Sequence, residues 1–188
     1  MKKFFLFAAL LLSAAWLANA QDAKRYEIKS GIITMESDMG ATTIYFDNYG
    51  AVEAQKMKMS MFGADTEMTI LSKDGKTYMI NAAEKQVQEM PAGGMGGATI
   101  NFLKLDDKTK ADYKIKEEGK EKILGRDCTK YSMEVSQMGQ TVKQTVWVWK
   151  GIALKTSTDA GQFQFGNTAT KIEENAAIPA GTFDVPKF

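Results

Sequence analysis

The strongest constraint on the fold is a repeated alternation of apolar and polar residues that is interrupted at short intervals by turns. A period of two is typical of half-buried β-strands. Residues 47–50 and the triplet Lys73-Asp74-Gly75 are turn segments, because Asn, Asp and Gly tolerate a left-handed backbone. The alternation predicts strands at residues 26–35, 42–46, 52–61, 66–71, 76–81, 113–117, 120–124, 128–136, 141–149 (continued by 152–158 after Gly151), 162–165 and 168–174.

This pattern predicts a mainly β fold: an antiparallel sheet of about 10–11 strands, since short turns join consecutive strands. A sheet of that size must curl or close to protect its edges. Residues 83–90 are permissive for helix but form a short segment, and residues 99–112 can hold one or two short helices with Ile100, Leu103 and Leu105 buried. Residues 91–97 contain four glycines, which indicates a loop; it is either a plain flexible connection or a lid over a cavity.

The first 20 residues have the three parts of a cleavable signal peptide: a basic start, an apolar run at residues 4–12, and small residues before Gln21. The apolar run is too short for a transmembrane helix, which needs about 20 residues. We expect cleavage between Ala20 and Gln21, and Gln21 in place of cysteine gives no sign of lipidation. The expected product is a periplasmic or secreted protein in which residues 21–188 form a single domain without a membrane span.

The residue types present limit the possible chemistry. The chain has no histidine, one cysteine and a formal net charge of +1. A Ser-His-Asp triad, a Cys-His pair and a histidine zinc site are therefore excluded, and a near-neutral chain offers no electrostatic basis for binding nucleic acid. Adjacent acidic residues point to opposite faces of a strand, so they do not form an acid–base pair. We expect no enzymatic activity and no cofactor; Cys128 is buried, free or paired with another chain.

Methionines form the most unusual pattern. Met57, Met59 and Met61 alternate with polar residues, which places three thioethers on one face of a strand, and Met68 follows across the next turn. Three interpretations stay open: ordinary core packing, the wall of an apolar ligand cavity, or a Cu(I) site, since thioethers favour soft ions. Same-face residues of one strand are about 6.5–7 Å apart, so a shared ion needs a ligand from another strand.

Two tryptophans form a second candidate binding surface. Trp147 and Trp149 lie on one face of a predicted strand, and Val146 and Val148 lie on the other. A strand that is apolar on both sides requires a cover on both sides, so it is either part of the core or a platform for a ligand. With the methionines, these tryptophans are the candidate residues that line a ligand site.

The order of several soft motifs resembles an exported bacterial family of unknown function, the DUF4412 type. The motifs are ILGRDCTKY (123–131), WVWKGIALK (147–155), ATKIEEN (169–175) and IPAGTFDVP (178–186), together with residues 29–33 and 45–51. That family in turn is similar to the periplasmic lipoprotein carriers and sensors of the LolA, LolB and RseB type. The resemblance implies an unclosed half-barrel, with short helices over its concave side and an apolar hollow beneath them.

The resulting functional hypothesis is a periplasmic binding protein for a lipid, an acyl chain or another hydrophobic ligand. The first alternative is a structural or sensory module of the cell envelope that holds no small ligand. The second is Cu(I) binding by methionines. The sequence specifies neither a protein partner nor an oligomeric state.

Overall fold

The computed structural model describes residues 24–37, 40–61, 64–90, 100–137, 140–159, 161 and 164–188. The predicted cleavage site at Ala20 and Gln21 and the glycine-rich segment 91–97 lie outside these ranges. The elements are β1 (Gly31–Ser37), β2 (Gly40–Asp47), a 3-10 turn (Asn48–Gly50), β3 (Val52–Met61), β4 (Ala64–Lys73), β5 (Lys76–Asn81), β6 (Gln86–Met90), α1 (Asp107–Asp112), β7 (Lys116–Ile123), β8 (Arg126–Gln137), β9 (Gln140–Trp149), β10 (Ile152–Asp159) and β11 (Gln164–Glu174).

The strands of the described residues form one antiparallel sheet in the order β6-β5-β4-β3-β2-β1-β11-β10-β9-β8-β7. Two meanders therefore run outward from a central pair, in which β1 is hydrogen-bonded to β11. Strands β6 and β7 are the edges, so the sheet is not closed into a barrel. Because β6 and β7 are consecutive in the chain, the segment between them must pass from one edge of the sheet to the other.

The predicted fold class, a curved antiparallel sheet of about 10–11 strands with little helix, is confirmed. The predicted bounds of β3 and β5 agree with the structure, and the turn between β4 and β5 has Asp74 and Gly75 at φ of 53° and 73°. Five predicted details are wrong. Residues 26–30 precede β1 rather than forming its start, residues 86–90 form a strand, and residues 113–115 do not belong to β7. The predicted strands 113–117 and 120–124 are joined in β7, and the predicted strands 162–165 and 168–174 are joined in β11.

Two faces of the sheet follow from the register, because residues paired across strands point the same way. The face that carries Ile33, Ile44 and Val146 is called the inner face, and the opposite one the outer face. The connection at residues 100–115, which we call the cover segment, packs on the inner face. Its side chains Ile100, Phe102, Leu105, Tyr113 and Ile115 contact Tyr131, Met133, Val135, Val142, Val146 and Val148 of β8 and β9.

The outer face is covered in part by the C-terminal segment. Phe183 packs against Ala54 and Leu71, and its carbonyl oxygen accepts a hydrogen bond from Lys73 Nζ at 3.4 Å. In the described part of the chain, no helix is long and apolar enough to span a membrane. The only α-helix there, α1, buries none of its residues.

Candidate functional site

A cavity of about 40 Å³ lies between the inner face of the sheet, the cover segment and the N-terminal segment 24–30. It sits near the central strands of the sheet. Its walls come from distant parts of the chain: Arg25, Tyr26, Ile33, Met35, Ile44, Glu53, Gln55, Ile100, Phe102, Gly151, Ile152, Ala153, Thr156 and Asn167.

Apolar side chains form most of the wall. Ile33 and Met35 of β1 are buried, and Ile44 of β2 lies directly opposite Ile33 on the same face. The cover segment contributes Ile100 and Phe102 from the other side. Burial of such surfaces stabilises the fold by about 25 cal/mol per Å². The cavity thus lies within the mainly apolar interface between the sheet and the cover segment.

Backbone hydrogen bonds hold the N-terminal segment in place. Arg25 and Tyr26 donate their N–H groups to the carbonyl oxygen of Tyr49 at 3.0 and 3.1 Å, and Glu27 donates to that of Lys150 at 3.1 Å. The segment therefore crosses two turns, the one after β2 and the one after β9. These partners explain why residues 26–30 are not a strand: their backbone groups bond to turns rather than to a neighbouring ladder.

Glycine at position 151 makes this close crossing possible. Its φ is +84°, and a Cβ added there would lie 2.2 Å from the carbonyl oxygen of Arg25. Any other residue would push the N-terminal segment away and adopt a strained backbone. Gly151 thus allows Arg25 to approach the sheet.

A buried ion pair forms the polar end of the cavity. Arg25 Nη2 lies 3.3 Å from Glu53 Oε2, with the two side chains 9% and 5% exposed. Glu53 also accepts hydrogen bonds from the Tyr26 hydroxyl at 2.5 Å and from Gln55 Nε2 at 2.9 Å. Arg25 Nη1 donates to the carbonyl oxygen of Gly50 at 3.1 Å. Burial raises the pKa of the Tyr26 phenol, so its hydroxyl keeps the proton that it donates.

Neutral polar groups lie on the neighbouring strands of the wall. The Thr156 hydroxyl of β10 donates to Asn167 Oδ1 of β11 at 2.8 Å. Within the described residues, the amide nitrogen of Asn167 has no acceptor of its own. The Arg25–Glu53 ion pair and the Thr156–Asn167 pair together give the cavity both charged and uncharged polar atoms beside its apolar wall.

The predicted methionine site is described in part. Met57 and Met68 are directly opposite each other on β3 and β4, on the inner face, and Met57 is 2% exposed. Met59 and Met61 lie on β3, but their side chains lie outside what the structure describes. Neither Met57 nor Met68 is among the described residues that line the cavity. Met57 follows Gln55 along the inner face, so it continues the surface beside the cavity. The Cu(I) and ligand-wall interpretations stay predictions.

Trp147 and Trp149 lie on the outer face, opposite the cover segment. The Val146 and Val148 side of β9 packs under that segment, as a strand with two apolar faces requires. Trp147 Nε1 donates a hydrogen bond to Glu121 Oε2 at 2.6 Å, and this bond lowers the pKa of the Glu121 carboxyl group. Lys155 Nζ lies 4.4 Å from the centroid of the Trp147 ring. Arg126 covers the Trp149 ring at 4.8 Å. Side chains of the protein itself therefore contact both rings.

Arg25, Tyr26, Glu53 and Gln55 were not among the predicted site residues. A signal was present: the alternation that places Met57 on one face also places Gln55 and Glu53 on that face. A carboxylate on the buried side of a strand requires a cation. The sequence has only two arginines, but nothing local indicates which of them meets Glu53.

The sequence matches the family DUF4412, described as a domain of unknown function, over residues 30–178. The chain therefore belongs to this family, and the predicted resemblance is confirmed. A search of curated proteins finds no match.

Several solved structures have a similar fold. Lipoprotein LppX of Mycobacterium tuberculosis is 10% identical with a TM-score of 0.39, over 81% of this chain and 90% of LppX. LprF of Mycobacterium bovis is 12% identical with a TM-score of 0.39, over 82% and 89%. MucB, solved in complex with MucA(peri), is 14% identical with a TM-score of 0.46, over 88% of this chain and 58% of MucB. Similarities of this level assign no function.

Proposed function

We propose that this member of the DUF4412 family is an exported protein that binds a hydrophobic small molecule between its inner face and its cover segment. The observation that carries the proposal is the cavity itself. It is lined by Ile33, Met35 and Ile44 on the sheet and by Ile100 and Phe102 on the cover. Concave sites with apolar walls and a few convergent polar groups are the usual binding places for small molecules.

The volume requires that the cover segment move when a ligand binds. The cavity of about 40 Å³ is well below the roughly 300–1,000 Å³ of sites for drug-sized ligands. Polar contacts tie the cover to the rest of the protein at both ends. Asn101 Nδ2 donates to the carbonyl oxygen of Lys24 at 3.0 Å, Lys114 forms an ion pair with Glu134, and the Glu134 N–H donates to the carbonyl oxygen of Tyr113 at 2.8 Å. Between these ends the cover packs on the sheet through apolar side chains, contacts that an apolar ligand can replace. Met57 and Met68 extend the surface over which such a ligand would lie.

The small volume equally favours a second candidate, a structural or sensory envelope module without a small ligand. In that case the inner face is filled by the protein's own side chains and stays filled. The two candidates differ in a single measurable property, the presence of space for a ligand under the cover segment.

The first experiment uses residues 21–188 purified without detergent. Native mass spectrometry is expected to detect co-purified lipid, and the uncharged fluorescent probe N-phenyl-1-naphthylamine is expected to bind with increased emission. A protein that carries nothing and does not bind the probe is the envelope module of the second candidate.

A cavity-filling variant locates the site. Ala153→Leu adds bulk to a wall residue of the inner face and is expected to weaken probe binding at least tenfold. Ala41→Leu makes the same change at an exposed position on the outer face of β2 and is expected to leave binding unchanged. Circular dichroism checks that both variants fold. Equal affinity of Ala153→Leu and the wild type would place the ligand elsewhere.

A further inference from the structure

We infer that the cavity selects single-chain amphiphiles with an uncharged hydrogen-bonding head, such as an alcohol or an amide, over carboxylates and amines of equal chain length. This inference rests on the proposed function and names its class of ligand. It follows from the charge balance of the polar lining, which contains one buried cation and one buried anion that already satisfy each other.

The ion pair leaves no net charge for a ligand to neutralise. Arg25 and Glu53 are both more than nine-tenths buried, and they are in direct contact. The remaining partners of Glu53 are the Tyr26 hydroxyl and the Gln55 amide, so both of its oxygens accept hydrogen bonds. An entering carboxylate would be a second buried anion beside Glu53, and an entering ammonium would be a second buried cation beside Arg25. Neither would find a counter-charge, and an unpaired buried charge is strongly unfavourable.

An uncharged head finds partners at the other polar group of the wall. The Thr156 hydroxyl donates a hydrogen bond to Asn167 Oδ1, and among the residues that the structure describes, none accepts a hydrogen bond from the Asn167 amide nitrogen. A hydroxyl or amide can accept that hydrogen bond and donate to an oxygen nearby. These hydrogen bonds offset the cost of removing the uncharged head from water, while the alkyl chain contacts the apolar wall.

The test compares three ten-carbon ligands that differ only in the head: decanol, decanoate and decylammonium. Each displaces N-phenyl-1-naphthylamine from residues 21–188 at pH 7.5, below its aggregation concentration. Decanol is expected to bind at least tenfold more tightly than either ion. Decanoate or decylammonium within threefold of decanol would overturn the inference while leaving the proposed function standing. Absence of probe binding would overturn the proposed function and the inference with it.

Two charge variants are expected to shift the preference toward one of the two ions. Glu53→Gln leaves Arg25 without its counter-charge, so decanoate is expected to gain at least tenfold in affinity. Arg25→Met leaves Glu53 unpaired, so decylammonium is expected to gain instead. Arg126→Met removes an arginine on the outer face and is expected to keep the wild-type order. An unchanged ratio of ion affinity to decanol affinity in folded Glu53→Gln and Arg25→Met would contradict the inference. If either variant does not fold, the wild-type order decides alone.

Discussion

Removal of the Arg25 side chain tests whether the ion pair holds the N-terminal segment against the sheet. In Arg25→Met, Glu53 stays 4% exposed but loses its cation. Breaking a buried pair in this way costs about 3–5 kcal/mol, because an uncompensated charge remains inside. For a domain of this size, that corresponds to a decrease in Tm of roughly 6–20 °C. Urea unfolding followed by circular dichroism measures the change in the free energy of unfolding.

The second arginine supplies the matched control. Arg126 contacts Glu174 at 3.0 Å, with the two side chains 24% and 34% exposed, and it stacks on Trp149. Arg126→Met is expected to cost about 1–2 kcal/mol, the sum of a partly exposed ion pair and a cation–π contact. In the double variant Arg25→Met/Glu53→Gln no charge is left buried, so it is expected to regain about 2 kcal/mol relative to Arg25→Met. Equal destabilisation by the two arginine variants, or no recovery in the double variant, would refute the reasoning.

Three further predictions concern single positions. Gly151→Ala is expected to destabilise the protein by about 1–3 kcal/mol more than Gly75→Ala in urea unfolding: both glycines have positive φ, but only at position 151 does a new Cβ meet the backbone of Arg25. Burial raises the pKa of the Cys128 thiol, so Ellman's reagent at pH 8 is expected to label it more slowly in the folded protein than in urea; equal rates would contradict its buried position. Met57→Leu conserves volume and is expected to change the free energy of unfolding by less than about 1.5 kcal/mol. If the wild type retains Cu(I) in equilibrium dialysis and the folded Met57→Leu variant does not, the result would support the soft-metal hypothesis over packing.

The strands were predictable because their pattern is local. Each half-buried strand repeats with a period of two, and each tight turn has residues that tolerate a positive φ, such as Asp74 and Gly75. This information lies within a few neighbouring residues, so the bounds of β3 and β5 follow directly from the sequence. The segment at residues 26–30 looks like a strand by the same rule, but it has no neighbouring ladder to pair with.

The candidate site was less predictable because its parts are far apart in the chain. Alternation places Val146 and Trp147 on opposite faces of β9, but it does not say which face the cover segment takes. The packing of Ile100 and Phe102 against the Val146 side is what makes this face the inner one.

The sequence alone therefore determined most of the strands, the turn between β4 and β5, and which residues of a regular strand share a face, since these depend on backbone geometry over short distances. Only the tertiary structure decided which face is inside, that Arg25 meets Glu53, and that a cavity remains between them and the cover segment. The physical reason is that burial and charge pairing depend on surfaces that come together only when the sheet has formed. Arg25 and Glu53 are 28 positions apart, and no local pattern connects them.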